Sequence, residues 1–172
     1  MEAIENILTR TSVREFNDQA VESEKLEMII KAAFGAPSAV NRQPWHFVIV
    51  DQPDLRADLA KGLTYCEMVA QSPVAIMVCG NKDKFFQGED DLYWISDTSA
   101  ACQNILLAAH ALGLGAVWSA IYPEKERIDA VRRIMNLPDN LIPLSLIPIG
   151  YPAKVAQAKD KYQPESVSHN RF

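Results

Sequence analysis

Three short apolar runs constrain the fold of this chain more than any other feature of its sequence. They cover residues 45–50, 74–79 and 142–149, and aliphatic side chains dominate the last two. Such runs are typical of strands buried on both faces of a sheet. Because amphipathic helical patterns separate them, the sequence predicts a layered sandwich of helices and strands. Pro143 and Pro148 are expected near strand ends or at a sheet edge, since proline lacks the N–H that a ladder needs.

Helical periodicity predicts five helices around these runs. They are expected over residues 2–10, from an N-cap at Ser23 to Gly35, from Pro53 onward, over residues 94–112, and from Pro123 onward. The fourth is rich in alanine, which leaves a narrow flank for packing against a neighbour such as a second copy of itself. Residues 115–122 are predicted to form a strand that opens into a loop. Residues 81–91 either cover a pocket or form a surface loop.

The composition excludes several classes of function. The formal net charge is −5 and no dense run of lysine or arginine occurs, so nucleic acid is not expected as a partner. No uncharged apolar run approaches the roughly 18 residues that span a bilayer, and we expect no membrane association. Charged residues near the amino terminus argue against a signal peptide.

The three cysteines form neither a disulfide pattern nor a zinc pattern. Cys66, Cys79 and Cys102 are odd in number and widely spaced. We expect Cys79 and Cys102 to be small core residues, whereas Cys66 could be exposed. A reduced, cytoplasmic setting is the simplest interpretation.

The last 22 residues differ in character from the rest of the chain, which shows no internal repeat or domain boundary. This tail, residues 151–172, contains two prolines, several charges, few apolar residues and no periodicity. One interpretation is a flexible tail. The other, which we favour, is an arm that leaves the domain and lies on a partner subunit, with Tyr162 and Phe172 as anchors.

A cluster of basic and hydroxyl side chains follows the first predicted helix. Residues 9–16 read TRTSVREF and hold Arg10, Arg14 and several hydroxyls within an acidic chain. Guanidinium groups bind phosphate oxygens in pairs, and hydroxyls fill the remaining acceptor positions. The segment is therefore either a phosphate site or a solvated turn after a helix.

No catalytic constellation borne by the protein stands out. The chain lacks Gly-x-Ser-x-Gly, His-Glu-x-x-His, a Walker loop and a dinucleotide fingerprint. His46 and His110 are interpreted as structural. Asp90, Asp91 and Asp97 form either a metal cluster or, as we favour, a solvated helix start, so no metal is predicted. An enzyme without an evident nucleophile or base usually takes its reactivity from a cofactor.

Seven motifs, in order, resemble the compact FMN-dependent nitroreductases. They are TRTSVREF at 9–16, APSAVNRQPWHF at 36–47, SPV at 72–74, QNILLAA at 103–109, GLGAVW at 113–118, IGYP at 149–152 and KDKY at 159–162. Each is weak alone, but the ordered set runs the length of the chain.

The resemblance implies a fold, a partner and an activity. The fold is α+β, a three-layer α/β/α sandwich with a mixed central sheet flanked by helices. Residues 1–172 form one FMN-binding domain, and residues 151–172 are exchanged as arms in an intertwined homodimer. NADH or NADPH reduces the FMN, which passes electrons to nitroaromatics, quinones or similar small-molecule acceptors in a ping-pong cycle.

The resemblance also implies which residues bind FMN. Arg10, Ser12 and Arg14 hold the phosphate, and Lys161 from the tail of a second polypeptide completes the charge. A loop with Asn41 approaches the ring from the other subunit. Backbone N–H groups after Trp118 face the flavin N5 and O4 edge, where Ala120 and Ile121 depart from the family's commoner glycine. The full set is Arg10, Thr11, Ser12, Arg14, Pro37, Ser38, Ala39, Asn41, Gln43, Trp118, Ser119, Ala120, Ile121, Lys159 and Lys161.

Two other functions share parts of this pattern. A flavin-binding or storage protein would keep every FMN residue without turnover. A dimeric scaffold would have lost the cofactor. Thr11 stands where the family often has a second arginine or a histidine, which removes one possible cation from the phosphate site.

Overall fold

The structure is a computed structural model that describes residues 2–88 and 91–171. The helices are α1 (Ala3–Thr9), α2 (Ser23–Phe34), α3 (Pro53–Gly62), α4 (Met68–Gln71), α5 (Tyr93–Ala111) and α6 (Lys125–Met135). The strands are β1 (Trp45–Val50), β2 (Val74–Asn81), β3 (Gly115–Ala116), β4 (Ser119–Ala120) and β5 (Leu141–Gly150). Short 3₁₀ turns lie at Ala39–Asn41, Lys82–Lys84 and Pro164–Ser166.

One sheet forms the middle layer. Its strand order is β1-β2-β5-β3, and β4 also pairs with β5. These pairings are antiparallel, and an isolated bridge between Ser12 and Ala116 adds a parallel component at the outer edge. No helix in the described part of the chain is long and apolar enough to cross a membrane.

Strand β2 divides its side chains between two cores, as the period of two in a strand requires. Val74, Ile76 and Val78 belong to a core shared with α2 and α5. The alternate residues Ala75, Met77 and Cys79 belong to a second core, shared with α3 and α6. Helices therefore cover both faces of the sheet, which confirms the predicted three-layer α+β sandwich.

Strand β5 lies inside the sheet, so the edge position considered for its prolines is wrong. Pro143 is the third residue of the strand and lies at a register shift opposite Cys79. Pro148 is third from the end. The register that pairs Ala116 with Ile149 and Ser119 with Leu146 puts Val117 opposite Pro148. Since Pro148 has no N–H to donate, the ladder breaks there and the predicted strand 115–122 becomes β3 and β4.

Other local predictions need small corrections. Helix α2 begins at Ser23 with Glu22 as its N-cap, and the Ser23 hydroxyl donates to Glu24 instead of capping the helix. Helix α6 begins at Lys125, after a cis Tyr122-Pro123 bond. Cys66 is fully buried. Burial raises the pKa of its thiol, against the opposing effect of the Arg127 guanidinium.

Gly115 allows the chain around Val13 to lie directly against β3. A Cβ atom on Gly115 would come within 2.6 Å of the Val13 Cβ atom. We expect Gly115→Ala to lower the free energy of unfolding by about 1–3 kcal/mol, the usual cost of overpacking. Urea unfolding measures this change.

The matched test of this contact is a double-mutant cycle. Val13→Ala vacates the space that the new methyl group needs, so Val13→Ala/Gly115→Ala should cost less than the sum of the two single substitutions. Additive costs would contradict a direct contact between the two positions.

Candidate functional site

The basic 9–16 segment runs along the outer edge of the sheet. Ser12 forms a parallel bridge with Ala116, and the Val13 N–H donates to the Ala116 carbonyl at 3.0 Å. Backbone hydrogen bonds thus hold the segment against β3, and the side chains of Arg10 and Arg14 take no part in them.

The tail runs back along this segment in the opposite direction. The Asn17 N–H donates to the Tyr151 carbonyl at 2.9 Å, and the Ala153 N–H donates to the Glu15 carbonyl at 3.0 Å. Lys154 adds an ion pair to Glu15 at 2.7 Å. This antiparallel course carries the later tail residues toward Arg10.

The tail and α1 enclose a pocket beside Arg10. Its volume is about 640 Å³. Three cations line it, namely Arg10, Lys159 and Lys161, together with one carboxylate residue, Asp160. Among the described residues, none of these three cations forms an ion pair with a carboxylate. The pocket therefore presents positive charge in a chain of net charge −5.

The structure brings together only part of the predicted phosphate cluster. In this single chain, Lys159 and Lys161 beside Arg10 come from the same polypeptide, and the expectation that a second polypeptide supplies Lys161 stays a prediction. Ser12 and Arg14 line a neighbouring pocket of about 310 Å³ with Lys154. Thr11 lines a third pocket, of about 420 Å³, on the side of His110.

The polar loop of residues 36–44 is held in an unusual conformation. Val40, Asn41 and Gln43 all have positive φ, at 43°, 57° and 51°. The Ser38 hydroxyl accepts the Gln43 backbone N–H at 2.9 Å, and the Gln43 side chain donates to the Asn41 side-chain oxygen at 3.2 Å.

None of the predicted residues of this loop reaches the pocket beside Arg10 within one chain. The pocket lining includes no residue from 36–44. The five residues concerned are Pro37, Ser38, Ala39, Asn41 and Gln43. The loop instead lies against α5, where the Ala39 N–H donates to the Asp97 carboxylate at 3.0 Å.

Backbone geometry separates the four candidates at residues 118–121. The Ile121 N–H donates to the Leu144 carbonyl at 2.9 Å, and Ile121 is fully buried in the second core. The Ile121 N–H is therefore already occupied within the sheet, and its predicted contact with flavin stays a prediction. Because N–H groups alternate in direction along an antiparallel strand, that of Ser119 also points toward β5, whereas those of Trp118 and Ala120 point outward.

Side-chain positions agree with this division. Ser119 is buried, and its hydroxyl bonds toward Cys66 and lowers that thiol's pKa in opposition to burial. Trp118 is partly buried against the first core. Ala120 is exposed, so of the two residues whose N–H points outward it is the less buried.

Two aspartates that were expected at a solvated helix start are buried. Asp91 accepts the Phe86 N–H at 2.6 Å and the Tyr93 N–H at 2.7 Å. Burial raises the pKa of Asp97, and the hydrogen bond from Ala39 opposes that shift. Both carboxylates thus bind backbone, and Asp90 lies outside the described residues. Sequence reasoning missed the role of Asp97, although a carboxylate between Trp94 and Ala101 on an apolar helix face signals a buried partner.

His110 joins α1 to the far end of α5. The Thr9 hydroxyl donates to the Glu5 carbonyl at 2.7 Å, so at its 3.0 Å contact with His110 Nε2 it accepts. Nε2 consequently carries the proton. Burial and then the nearby Arg10 guanidinium lower the pKa of His110, while Glu5 acts in the opposite direction.

The lowered pKa gives a testable pH dependence. Below the ordinary histidine pKa near 6.5, the unfolded chain takes up a proton at His110 more readily than the folded protein does. Stability from this group is therefore complete above that pH and is lost as the pH falls. His110→Gln keeps a donor to Thr9, and we expect it to lose less unfolding free energy than the wild type between about pH 7.5 and 5.5.

Urea unfolding at the two pH values measures this difference. His46→Gln, at an exposed position on β1, is the matched control. An unchanged pH slope in His110→Gln would contradict the assignment.

Comparison with known proteins identifies one family. The family model described as "Nitroreductase family" matches residues 7–64 and 60–151. A Methanothermobacter thermautotrophicus protein named "Putative NADH dehydrogenase/NAD(P)H nitroreductase" is 40% identical over 168 residues, 97% of this chain and 86% of that protein. The crystal structure of a Parabacteroides distasonis protein of the same name has 43% identity and a TM-score of 0.93, with 98% of both chains covered.

A third similarity concerns a protein of known cofactor type. The structure of an FMN-dependent nitroreductase from Clostridium difficile has 29% identity and a TM-score of 0.89, with 98% of this chain and 99% of that chain covered. The chain belongs to the nitroreductase family of oxidoreductase enzymes.

Proposed function

We propose that this protein is a cytoplasmic, homodimeric, FMN-dependent NAD(P)H oxidoreductase that reduces nitroaromatics, quinones or similar electron acceptors. The observation that carries the proposal is the pocket lined by Arg10, Lys159 and Lys161. An FMN phosphate brings nearly two negative charges, and the three cations and the single carboxylate residue Asp160 in this lining leave an excess of about two positive charges. Ser12 and Arg14, in the adjoining pocket, extend the same basic surface along the sheet edge.

The sheet edge supports a place for the flavin ring. When bound, FMN accepts a hydride from NADH or NADPH and passes electrons to a second substrate in a ping-pong cycle. The outward Ala120 N–H would donate to the edge of the bound ring, where reduction would add negative charge. A preorganised backbone donor at such a position stabilises that charge without a catalytic side chain.

A second subunit completes the site in this proposal. Ile4 and Leu8 of α1 are 68% and 69% exposed, Val40 is 67% exposed, and Tyr162 of the tail is 73% exposed. Leu8 and Tyr162 line the same pocket, whereas Val40 is exposed on the separate 36–44 loop, and exposed apolar patches mark interaction surfaces. We place the 36–44 loop of one subunit beside the Arg10 pocket of the other.

In the same proposal, residues 1–172 form a single FMN-binding domain whose 151–172 arm lines the Arg10 pocket of its own chain and also lies on the partner. Every described residue of the tail from Ala153 onward is exposed in the isolated chain, as an arm that binds a partner requires. Phe172, the second expected anchor, lies outside the described residues.

One experiment tests the proposed activity directly. The purified protein should show the visible absorption of oxidised flavin, which bleaches when NADH or NADPH is added without oxygen. Addition of a nitroarene or a quinone should restore the absorption and sustain steady NAD(P)H oxidation. Flavin that stays oxidised under excess NAD(P)H would instead indicate a storage protein, and protein that stays colourless after incubation with FMN would refute both.

Arg10→Ala should weaken FMN binding by about 10- to 100-fold. Removal of a charge-assisted hydrogen bond to phosphate costs about 1.5–3 kcal/mol. Fluorescence titration of FMN into the apoprotein measures the dissociation constant. Arg133→Ala is the matched control, because Arg133 is an exposed arginine on α6 and its loss changes the net charge equally. Equal weakening by both substitutions would reduce the effect to general electrostatics and contradict a specific phosphate contact.

A further inference from the structure

We infer that Asp97 is a positioning residue for FMN: its carboxylate locks the 36–44 loop into the conformation that receives the flavin. The inference rests on the proposed function and names a residue outside the predicted cofactor set. It follows from the strain in the loop, the contacts that hold the strain, and the rigidity of α5.

The loop adopts a conformation that its sequence does not favour. Positive φ occurs at three nearby residues of the loop, none of them glycine: Val40, Asn41 and Gln43. Asparagine tolerates this region, but a β-branched valine at φ 43° is disfavoured by steric contact with its own backbone. Strain of this kind persists only where surrounding contacts hold it, and it concentrates at binding sites.

Asp97 supplies one of those contacts from outside the loop. Its carboxylate accepts the N–H of Ala39, the residue immediately before Val40, at 3.0 Å. Asp97 is only 7% exposed, so water competes weakly for this bond. A hydrogen bond to an ionised acceptor is about twice as strong as one between neutral groups.

A second contact holds the other end of the strained turn. The Arg42 guanidinium donates to the Phe85 carbonyl at 3.2 Å. Phe85 stacks on Trp94, with ring centroids 5.6 Å apart and planes at 9°. Trp94 lies on α5, one turn before Asp97. The contact through Arg42 and Phe85 and the contact through Ala39 therefore both connect the loop to the same part of this 19-residue helix.

The loop is therefore formed before the flavin arrives. When the loop is already formed, FMN binding does not include the free-energy cost of ordering the loop. When only a fraction of the molecules has the competent loop conformation, the apparent affinity is lower by that fraction. Removal of the Asp97 carboxylate should release Val40 toward an unstrained conformation and reduce FMN affinity, although Asp97 is not among the residues that line the phosphate pocket.

The test uses FMN titration and flavin release from the full-length protein. We expect Asp97→Ala to weaken FMN binding on the order of ten-fold, and Asp97→Asn, which keeps an acceptor oxygen, to weaken it less. Ser96→Ala, at the exposed neighbouring position on α5, is the matched control and should bind FMN like the wild type.

Two further measurements separate positioning from a general loss of stability. The Ala39 amide should exchange its hydrogen faster in Asp97→Ala than in the wild type or in Ser96→Ala. Val40→Asn, which tolerates positive φ, should recover part of the lost affinity when added to Asp97→Ala, beyond its effect in the wild-type background. A role of Asp97 in core stability alone predicts no such recovery.

The outcomes distinguish this inference from the proposed function. Wild-type protein that binds FMN, with Asp97→Ala binding equally well, would overturn the inference and leave the proposed function intact. Wild-type protein that does not bind FMN would overturn both. If Asp97→Ala does not fold, the double variant Asp97→Asn/Val40→Asn is compared with Asp97→Asn. An FMN affinity of the double variant no higher than that of Asp97→Asn would overturn the inference.

Discussion

The candidate site depends on one backbone contact, the docking of the 9–16 segment against Ala116. The N–H and the carbonyl of Ala116 point away from β5, because the register of β3 and β4 directs the backbone groups of residues 115, 117, 119 and 121 inward. Val13 donates to this outward carbonyl, and Gly115 leaves the space that Val13 occupies. The tail then follows the docked segment. The cations of the Arg10 pocket are thus brought together by hydrogen bonds that involve none of their own side chains.

The same alternation decides which groups on this edge remain free to meet a ligand. Along residues 115–121, every second residue directs its backbone groups toward β5, which occupies the N–H groups of Ser119 and Ile121. Ala120 remains, with a small side chain beside its N–H. The break at Pro148 leaves Val117 without its ladder partner, yet the register on both sides of the break is unchanged. Pro148 thus divides the predicted strand into β3 and β4 without changing the direction of the Ala120 N–H.

Local patterns in the sequence were sufficient to predict the layers of the fold but not the geometry of the candidate site. The apolar runs of β2 and β5 have no alternative to burial on both faces, so their place in the middle layer follows from composition alone. The register between strands is not a local property, and it decides that Ile121 faces the core. Burial of Cys66 and Asp97 likewise depends on what packs over them, namely Arg127 with Ser119 and the Ala39 amide. The course of the tail is set by Tyr151 and Ala153 binding the 9–16 segment, which no periodicity encodes.

Helix α5 connects the two halves of the proposed FMN site and also keeps them apart. Asp97 holds the 36–44 loop near its amino-terminal end, and His110 contacts Thr9 near its carboxyl-terminal end. The 13 residue steps from Asp97 to His110 span about 20 Å at about 1.5 Å per residue. Within one chain, the basic pocket is lined by Gln103 in the middle of α5, and no residue of the 36–44 loop lines it. In the proposed homodimer, the loop of each chain would lie beside the basic pocket of the other, so two complete sites would assemble from parts that a single chain does not bring together.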